Sequence, residues 1–410
     1  MKLKKLTAAC GVALAAMFTA ATPAQAQVSG DVIKIGFITD MASLYADIDG
    51  PGGVEAIKMA IADMGGAVDG KKVELVVADH QNKPDIGAVK AREWFDTEGL
   101  DMLIGGTNSG VNLAMAKVAA EKHKPFLAIG PGSSALTNAQ CSPYTVHYAY
   151  DTVALAKGTG GAVVKAGGKS WFFLTADYAF GHALEADTSK VVKAAGGTVV
   201  GAVRVPLNAS DFSSFLLQAQ ASKAQILGLA NAGGDTINAI KQGAEFGIVA
   251  GGQKFAGLLV FAPDVAALGL KTAQGLTFTE TFYWDLNDGT RAWTKRWDKE
   301  RDAAGKLPSM NMAGVYAGTL HYLKAVAAVG SAADGKAVVE QMKKTPTDDP
   351  LFGKGTVRVD GRVLHPAYLF EVKKPEESKY PGDLYHLRTT IPADEAFRPL
   401  NEGKCPMVSG

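Results

Sequence analysis

The chain has 410 residues, 47% of them hydrophobic, and 42 basic against 41 acidic side chains, for a formal net charge of +1. With no basic block, that balance argues against a nucleic-acid partner and against docking on an anionic membrane surface. The length suits two domains with separate cores better than one.

At the start, Lys2, Lys4 and Lys5 precede an apolar stretch from about Leu6 to Ala20, and Ala24-Gln25-Ala26 is a small-x-small cleavage site. Residues 1–26 are expected to be a signal peptide, cut before Gln27. Cys10 lies mid-way along the apolar stretch, well ahead of that site, which speaks against a lipid-anchored cysteine. Cleavage would leave about 384 residues with 39 basic against 41 acidic side chains, a net charge of −2. No later run of about 18 uncharged apolar residues occurs, so a soluble periplasmic protein is expected. Of the cysteines, Cys141 and Cys405 remain. In an oxidising compartment they are expected to form a disulfide tying the C-terminal tail to the middle of the chain; two free thiols are the alternative.

Strand and helix patterns then alternate. Ile33–Ile38 reads as a strand, and Val54, Ile57, Ile61 and Met64 mark one face of a helix. Val73–Ala78 is a second strand, with Pro84 opening the next helix. From Leu100 to Asn138, the apolar runs Met102–Ile104 and Phe126–Ile129 each end in a loop rich in glycine and hydroxyls. Between them Val111, Ala114, Met115, Val118 and Ala119 form a helical stripe. Such loops leave the carboxyl ends of parallel strands, where open α/β sheets hold ligands. Asn108-Ser109-Gly110, at a helix start, and Gly130-Pro131-Gly132-Ser133-Ser134 are therefore candidates for meeting an anion. Two ordinary αβ turns with N-caps are the competing reading.

Beyond a boundary near Tyr150, a helix is expected from Asp151 to about Ala166. Strands follow at Trp171–Leu174, Thr198–Arg204, Ile226–Ala230 and Phe255–Val260, with helices near Gly181–Ala195, Phe212–Ser222 and Thr236–Phe246 between them. Leu276–Thr281 reads as a strand ahead of the aromatic segment Phe282-Tyr283-Trp284-Asp285, and helices occupy about Thr290–Ala304 and Met310–Val329. Thr356–Val359 and Ala367–Val372 suggest an antiparallel hairpin, and the tail from Lys373 is expected to wrap the surface.

No reactive constellation appears. The chain has no G-x-S-x-G, H-E-x-x-H or G-x-x-x-x-G-K-[ST] motif, so an enzyme is not expected. His80, His123, His147, His182, His321, His365 and His386 never fall at metal-ligand spacing and read as scattered surface or capping residues; no metal or cofactor is expected. Gly130-x-Gly132-x-x-Ala135, with Asp151 21 positions after its first glycine, imitates a dinucleotide fingerprint. It follows the fourth strand rather than the first, contains Pro131, and leads into no clear helix, so it is set aside. Tyr178, Phe180, Tyr283, Trp284 and Tyr316 are candidate apolar walls for a ligand slot, against interlobe or core packing as the plain alternative.

IKIGFITD near the start, GGTNSG, PFLAIGPGSSALT and DYAFG together resemble type I periplasmic solute-binding proteins, in the leucine/isoleucine/valine-binding group that serves ABC importers. The resemblance spans roughly 31–372. It implies an α/β fold of two Rossmann-like lobes joined by a three-strand hinge, with ligand held between them. Lobe 1 would comprise 31–150 plus about 282–345, and lobe 2 151–281 plus about 346–372, with 373–410 wrapping back to lobe 1. By the same resemblance Ser109, Gly132, Ser133 and Ser134 would hold a ligand carboxylate, with Asn108 a candidate from its place at the helix start, and Phe180 would stand beside the ligand. Asn231–Asp235, with Ala232 and Asp235, would match a cleft loop of the second lobe and Tyr316 an aromatic cleft position, while Tyr178 and Tyr283 are candidates from the residues themselves.

Amino-acid-binding members place a Glu after the strand matching Phe255-Ala256-Gly257, and here Leu258 and Leu259 stand there. A buried ammonium without a carboxylate partner is costly. The expected ligand is thus a small carboxylate lacking an α-amino group, an aromatic or keto acid. A branched-chain amino acid is the alternative, with Asp235 or Asp264 as substitute partner. The expected partner is a membrane permease, or alternatively a chemotaxis or kinase receptor, and the expected state is a monomer.

Overall fold

A computed structural model describes residues 31–301 and 306–408, with side chains of 298–301 left aside. The expected signal peptide lies outside the described residues. So does the end of the helix expected over 290–304, of which Asp288–Arg301 is helical.

The first sheet contains β1 (Val32–Thr39), β2 (Ala67–Val68), β3 (Lys71–Asp79), β4 (Met102–Gly105), β5 (Phe126–Ala128) and β6 (Thr145–His147), in the order β2-β3-β1-β4-β5-β6. Apart from the short β2, every neighbour pair is parallel. β4 and β5 are buried at each position, the mark of parallel strands covered on both faces. Ile35, Phe37 and Ile104 face helices Pro51–Asp63 and Met310–Val329, whereas Ile38 and Leu103 face Pro84–Thr97 and Ser109–Glu121. Connections run outward in opposite directions from β1 and β4, which opens a crevice at their carboxyl ends.

The second sheet contains β7 (Ser170–Ala176), β8 (Thr198–Val205), β9 (Ile226–Ala230) and β10 (Lys254–Gly257), all parallel, in the order β10-β9-β7-β8. Its switch point lies between β7 and β9. Tyr178 leads from β7 into helix Ala179–Ala194, and Asn231–Gly233 leads from β9 into helix Gly234–Glu245.

The late strands agree with the sequence reading at Thr277–Glu280 and Ala367–Val372 but depart from it in number and pairing. They are β11 (Thr277–Glu280), β12 (Thr347–Asp349), β13 (Gly353–Val357), β14 (Val363–Leu364), β15 (Ala367–Val372) and β16 (Tyr385–Ile391). β13 turns back onto β14, while β15 pairs with β11 and β16, so the expected hairpin between the two apolar runs does not form. The tail beyond Lys373 supplies β16 rather than merely covering the surface. Residues 351–363 pack against the first sheet, with Phe352 6.1 Å from Tyr148 and a bridge between Arg362 and His147, not against the second.

Helix Met310–Val329 is bounded by Ser309, whose hydroxyl accepts from the Asn311 and Met312 N–H groups, and by Gly330 at φ 75°. The helix expected over 151–166 is continuous but carries a π turn at Ala156–Gly160. Cys141 and Cys405 form a disulfide across 264 residues. In the chain-entropy description a loop that long stabilises by up to roughly 5 kcal/mol.

Candidate functional site

Where the two switch points face each other, a crevice is lined by Thr107, Asn108, Ser109, Gly130, Gly132 and Tyr150 on one side. Tyr178, Phe180, Ala232 and Leu259 line the other. The first-lobe wall consists of the two glycine-hydroxyl turns that end β4 and β5.

These turns are held from behind by a buried polar knot. The Asp49 carboxylate accepts from Thr39 Oγ1 at 2.5 Å, Thr107 Oγ1 at 2.6 Å and Asn311 Nδ2 at 3.1 Å. Burial pushes its carboxyl up to about 6, opposed by those donors. A Cβ on Gly130 would lie 2.6 Å from Asp49 Oδ2 and 2.3 Å from the Thr107 nitrogen, so only glycine lets the turn pass this close. His80 Nε2 donates to the Thr107 carbonyl at 2.8 Å while its Nδ1 accepts from the Asn82 N–H at 3.0 Å. The ring is therefore neutral, and burial lowers its pKa.

The carbonyls of the second turn are all occupied. Tyr150 Oη donates to Gly130 at 2.7 Å, His147 Nε2 to Pro131 at 2.7 Å, and the Thr152 N–H to Gly132 at 2.7 Å. Of the turn's N–H groups, Gly130 donates to the Gly105 carbonyl at 3.3 Å and Ser134 to Thr152 Oγ1 at 3.3 Å, and Pro131 has none, which leaves the Gly132 N–H. Ser133 N–H donates to Ser109 Oγ at 3.1 Å, which leaves the Ser109 hydroxyl hydrogen for a ligand. Asn108, at φ 119°, caps the helix through its side chain, which accepts from the Val111 N–H at 3.1 Å. No charged side chain is among these lining residues, so an anion entering there would meet only neutral donors and a helix start.

Of the residues named from the sequence, Asn108, Ser109, Gly132, Tyr178, Phe180 and Ala232 are brought together around this crevice. Ser133 supports it through its N–H and caps Ala135. Ser134 has a different occupation. Its hydroxyl donates to Asp187 Oδ2 at 2.9 Å, and Thr152 Oγ1 donates to the same oxygen at 2.6 Å. Asp187 lies on helix Ala179–Ala194 of the second lobe, so this is a clasp between lobes. Asp187→Ala and Ser134→Ala should each weaken ligand affinity by about threefold to tenfold, and the double variant no more than the stronger single. Calorimetric titration checks this; additive losses would place Ser134 on the ligand instead.

Asp235 lies outside the wall, its Oδ2 accepting from the Asn208 N–H at 3.2 Å. Burial pushes its carboxyl up to about 6. Tyr283 is elsewhere: it stacks on Tyr385 at 4.4 Å and donates to the Gly382 carbonyl at 2.7 Å, because β16 covers it. Tyr316 is elsewhere too, wedged against Trp293 at 5.5 Å and donating to Asp63 at 2.6 Å. Sequence reasoning named Gly130 with its loop but missed Tyr45, Thr107 and Tyr150. The last follows β6, a three-residue strand with no apolar run to announce it. Leu259 was visible only as a departure from the family's acidic residue. Of the seven histidines expected at the surface or in caps, His123, His182 and His386 are not buried, whereas His80, His147, His321 and His365 are buried, each bonded to backbone.

Two lobes with glycine-hydroxyl turns facing an aromatic wall define a solute-binding protein rather than an enzyme. The periplasmic binding protein family model matches residues 32–379, and the chain belongs to that family, as an ABC-transporter ligand-binding protein of the Leu/Ile/Val-binding-like group. A periplasmic binding protein from Burkholderia mallei is 60% identical, with a TM-score of 0.90 over 92% of this chain and 99% of that one. A branched chain amino acid ABC transporter periplasmic ligand-binding protein from Burkholderia xenovorans LB400 is 38% identical, with a TM-score of 0.81 over 92% and 100%. A solute-binding protein of an ABC transporter from Rhodopseudomonas palustris BisB5, in complex with 3,4-dihydroxybenzoic acid, is 25% identical, with a TM-score of 0.79 over 88% and 98%. No helix among the described residues is long and apolar enough to cross a membrane.

Proposed function

We propose that the protein binds a small organic carboxylate without an α-amino group, an aromatic or keto acid, in the periplasm and delivers it to the permease of an ABC importer. The observation that carries this reading is the lining. The Ser109 hydroxyl and the Gly132 N–H stand on one side, rings and Leu259 close the other, and none of the lining residues is a carboxylate to balance an ammonium. Asp264, a possible substitute, accepts from its own Phe261 N–H at 3.0 Å. The Rhodopseudomonas palustris relative holds such an aromatic acid. Ligand would bridge the lobes and shift the population towards the closed form that the permease engages.

The printed name of the Burkholderia xenovorans relative supports the competing reading, a branched-chain amino acid. A thermal-shift panel separates the two. Aromatic and keto acids at about 100 times their Kd should stabilise the protein by about 2.7 kcal/mol, while leucine, isoleucine and valine leave the melting temperature unchanged. Stabilisation by the amino acids alone would reject the proposal.

A further inference from the structure

Tyr45 and Tyr178 come from different lobes, and their hydroxyls meet at 2.7 Å. We infer that this pair recognises a second, neutral oxygen on the ligand, so that the bound species is a carboxylic acid carrying an oxo or hydroxyl group remote from its carboxylate. The inference rests on the carboxylate reading above and narrows it.

Two phenols bring two O–H hydrogens to one contact, and the bond between them uses one. Among the described residues neither hydroxyl makes another hydrogen bond to a side chain or backbone group. Tyr45 is fully buried, while Tyr178 stands in the crevice wall. Whichever phenol donates, the Tyr178 hydroxyl keeps an unused hydrogen or lone pair, and Tyr178 is the member of the pair that stands in the crevice wall. Burial holds both phenols above their ordinary range, so they stay protonated and neutral. The position also suits a remote group. Phe180, 6.1 Å from the Tyr178 ring, packs against Gly132 of the anchoring turn, so Tyr178 lies one ring beyond the carboxylate end. A pair of neutral phenols, with no cation among the lining residues, favours an oxo or hydroxyl oxygen over a second carboxylate. A purely apolar acid would strip water from Tyr178 and return nothing, and sites that offer a hydrogen bond discriminate strongly against analogues lacking the partner.

The test pairs acids that differ by that oxygen: 4-oxopentanoate against pentanoate, and 4-hydroxybenzoate against benzoate, titrated calorimetrically into the full protein. The oxygenated member of at least one pair should bind about tenfold tighter or better, and the pair that responds tells a short oxo acid from an aromatic one. Tyr178→Phe and Tyr45→Phe, which keep the rings, should each bring that ratio within about threefold. Equal binding of oxygenated and plain acids overturns the inference and leaves the carboxylate reading standing. So does an equal loss for both members in the phenylalanine variants, which would make the pair a simple lobe contact. If only amino acids bind, both readings fall.

Discussion

Gly132→Val should abolish ligand capture while both lobes stay folded. A Cβ at this position would lie 2.7 Å from the Phe180 ring and 3.0 Å from the Tyr150 ring. Tyr150 cannot yield, because it is buried and its hydroxyl is committed to the Gly130 carbonyl at 2.7 Å. Phe180 belongs to the opposite lobe, so the cheapest relief is to separate the lobes, which undoes closure and not the fold. An affinity loss on the order of 100-fold, about 2.7 kcal/mol, is expected. Titration with an acid from the thermal panel measures it, and circular dichroism verifies that the variant is folded. Retained affinity would mean that the two walls do not close on the ligand as described.

The second large effect concerns the chain crossing. Arg362 is fully buried and donates to the carbonyls of Tyr150 at 2.8 Å, Val363 at 3.1 Å and Tyr148, with Asp151 at 3.7 Å and the Phe397 ring 4.7 Å away. These acceptors include the segment that passes from the first sheet to the second. Arg362→Met keeps much of the volume but removes the donor to the Tyr150 and Val363 carbonyls and the cation beside the buried Asp151 carboxylate, which among the described residues keeps only its bond from the Ala154 N–H. A loss of roughly 3–5 kcal/mol is expected, since removing one member of a buried ionic network strands the other. Arg362→Lys should recover little, because a point ammonium cannot span acceptors that a planar fork reaches. Urea unfolding followed by fluorescence reads both variants; near-wild-type midpoints would remove Arg362 from its structural role.

Much of this architecture was legible in the residues, and the reasons are uneven. The parallel strands announce themselves because both faces are covered, which makes MLIG and FLA continuous apolar runs. The turns after them stood out through glycine and hydroxyls, and they do form the first-lobe wall. Short or amphipathic pieces were hidden. Thr145–His147 and Tyr385–Ile391 carry no continuous apolar run, and β16 exposes most of its residues. Missing β16 left Tyr283 free to be assigned to the crevice, when the tail strand buries it. Tyr316 shows a different limit: a helix pattern tells that a residue is covered, not which neighbour covers it. Ser134 shows a third, because a hydroxyl in the right turn was already engaged by a carboxylate 53 residues away.

The bond between Cys141 and Cys405 has a mechanical consequence. Strand β16 belongs to the sheet that β11 and β15 build, whereas Cys141 follows the turn that ends β5. The segment from Ile391 to Cys405 is thus a covalent tether between that three-stranded sheet and the turn beyond β5, so the tail stays held to the first sheet's neighbourhood even where its backbone pairing opens.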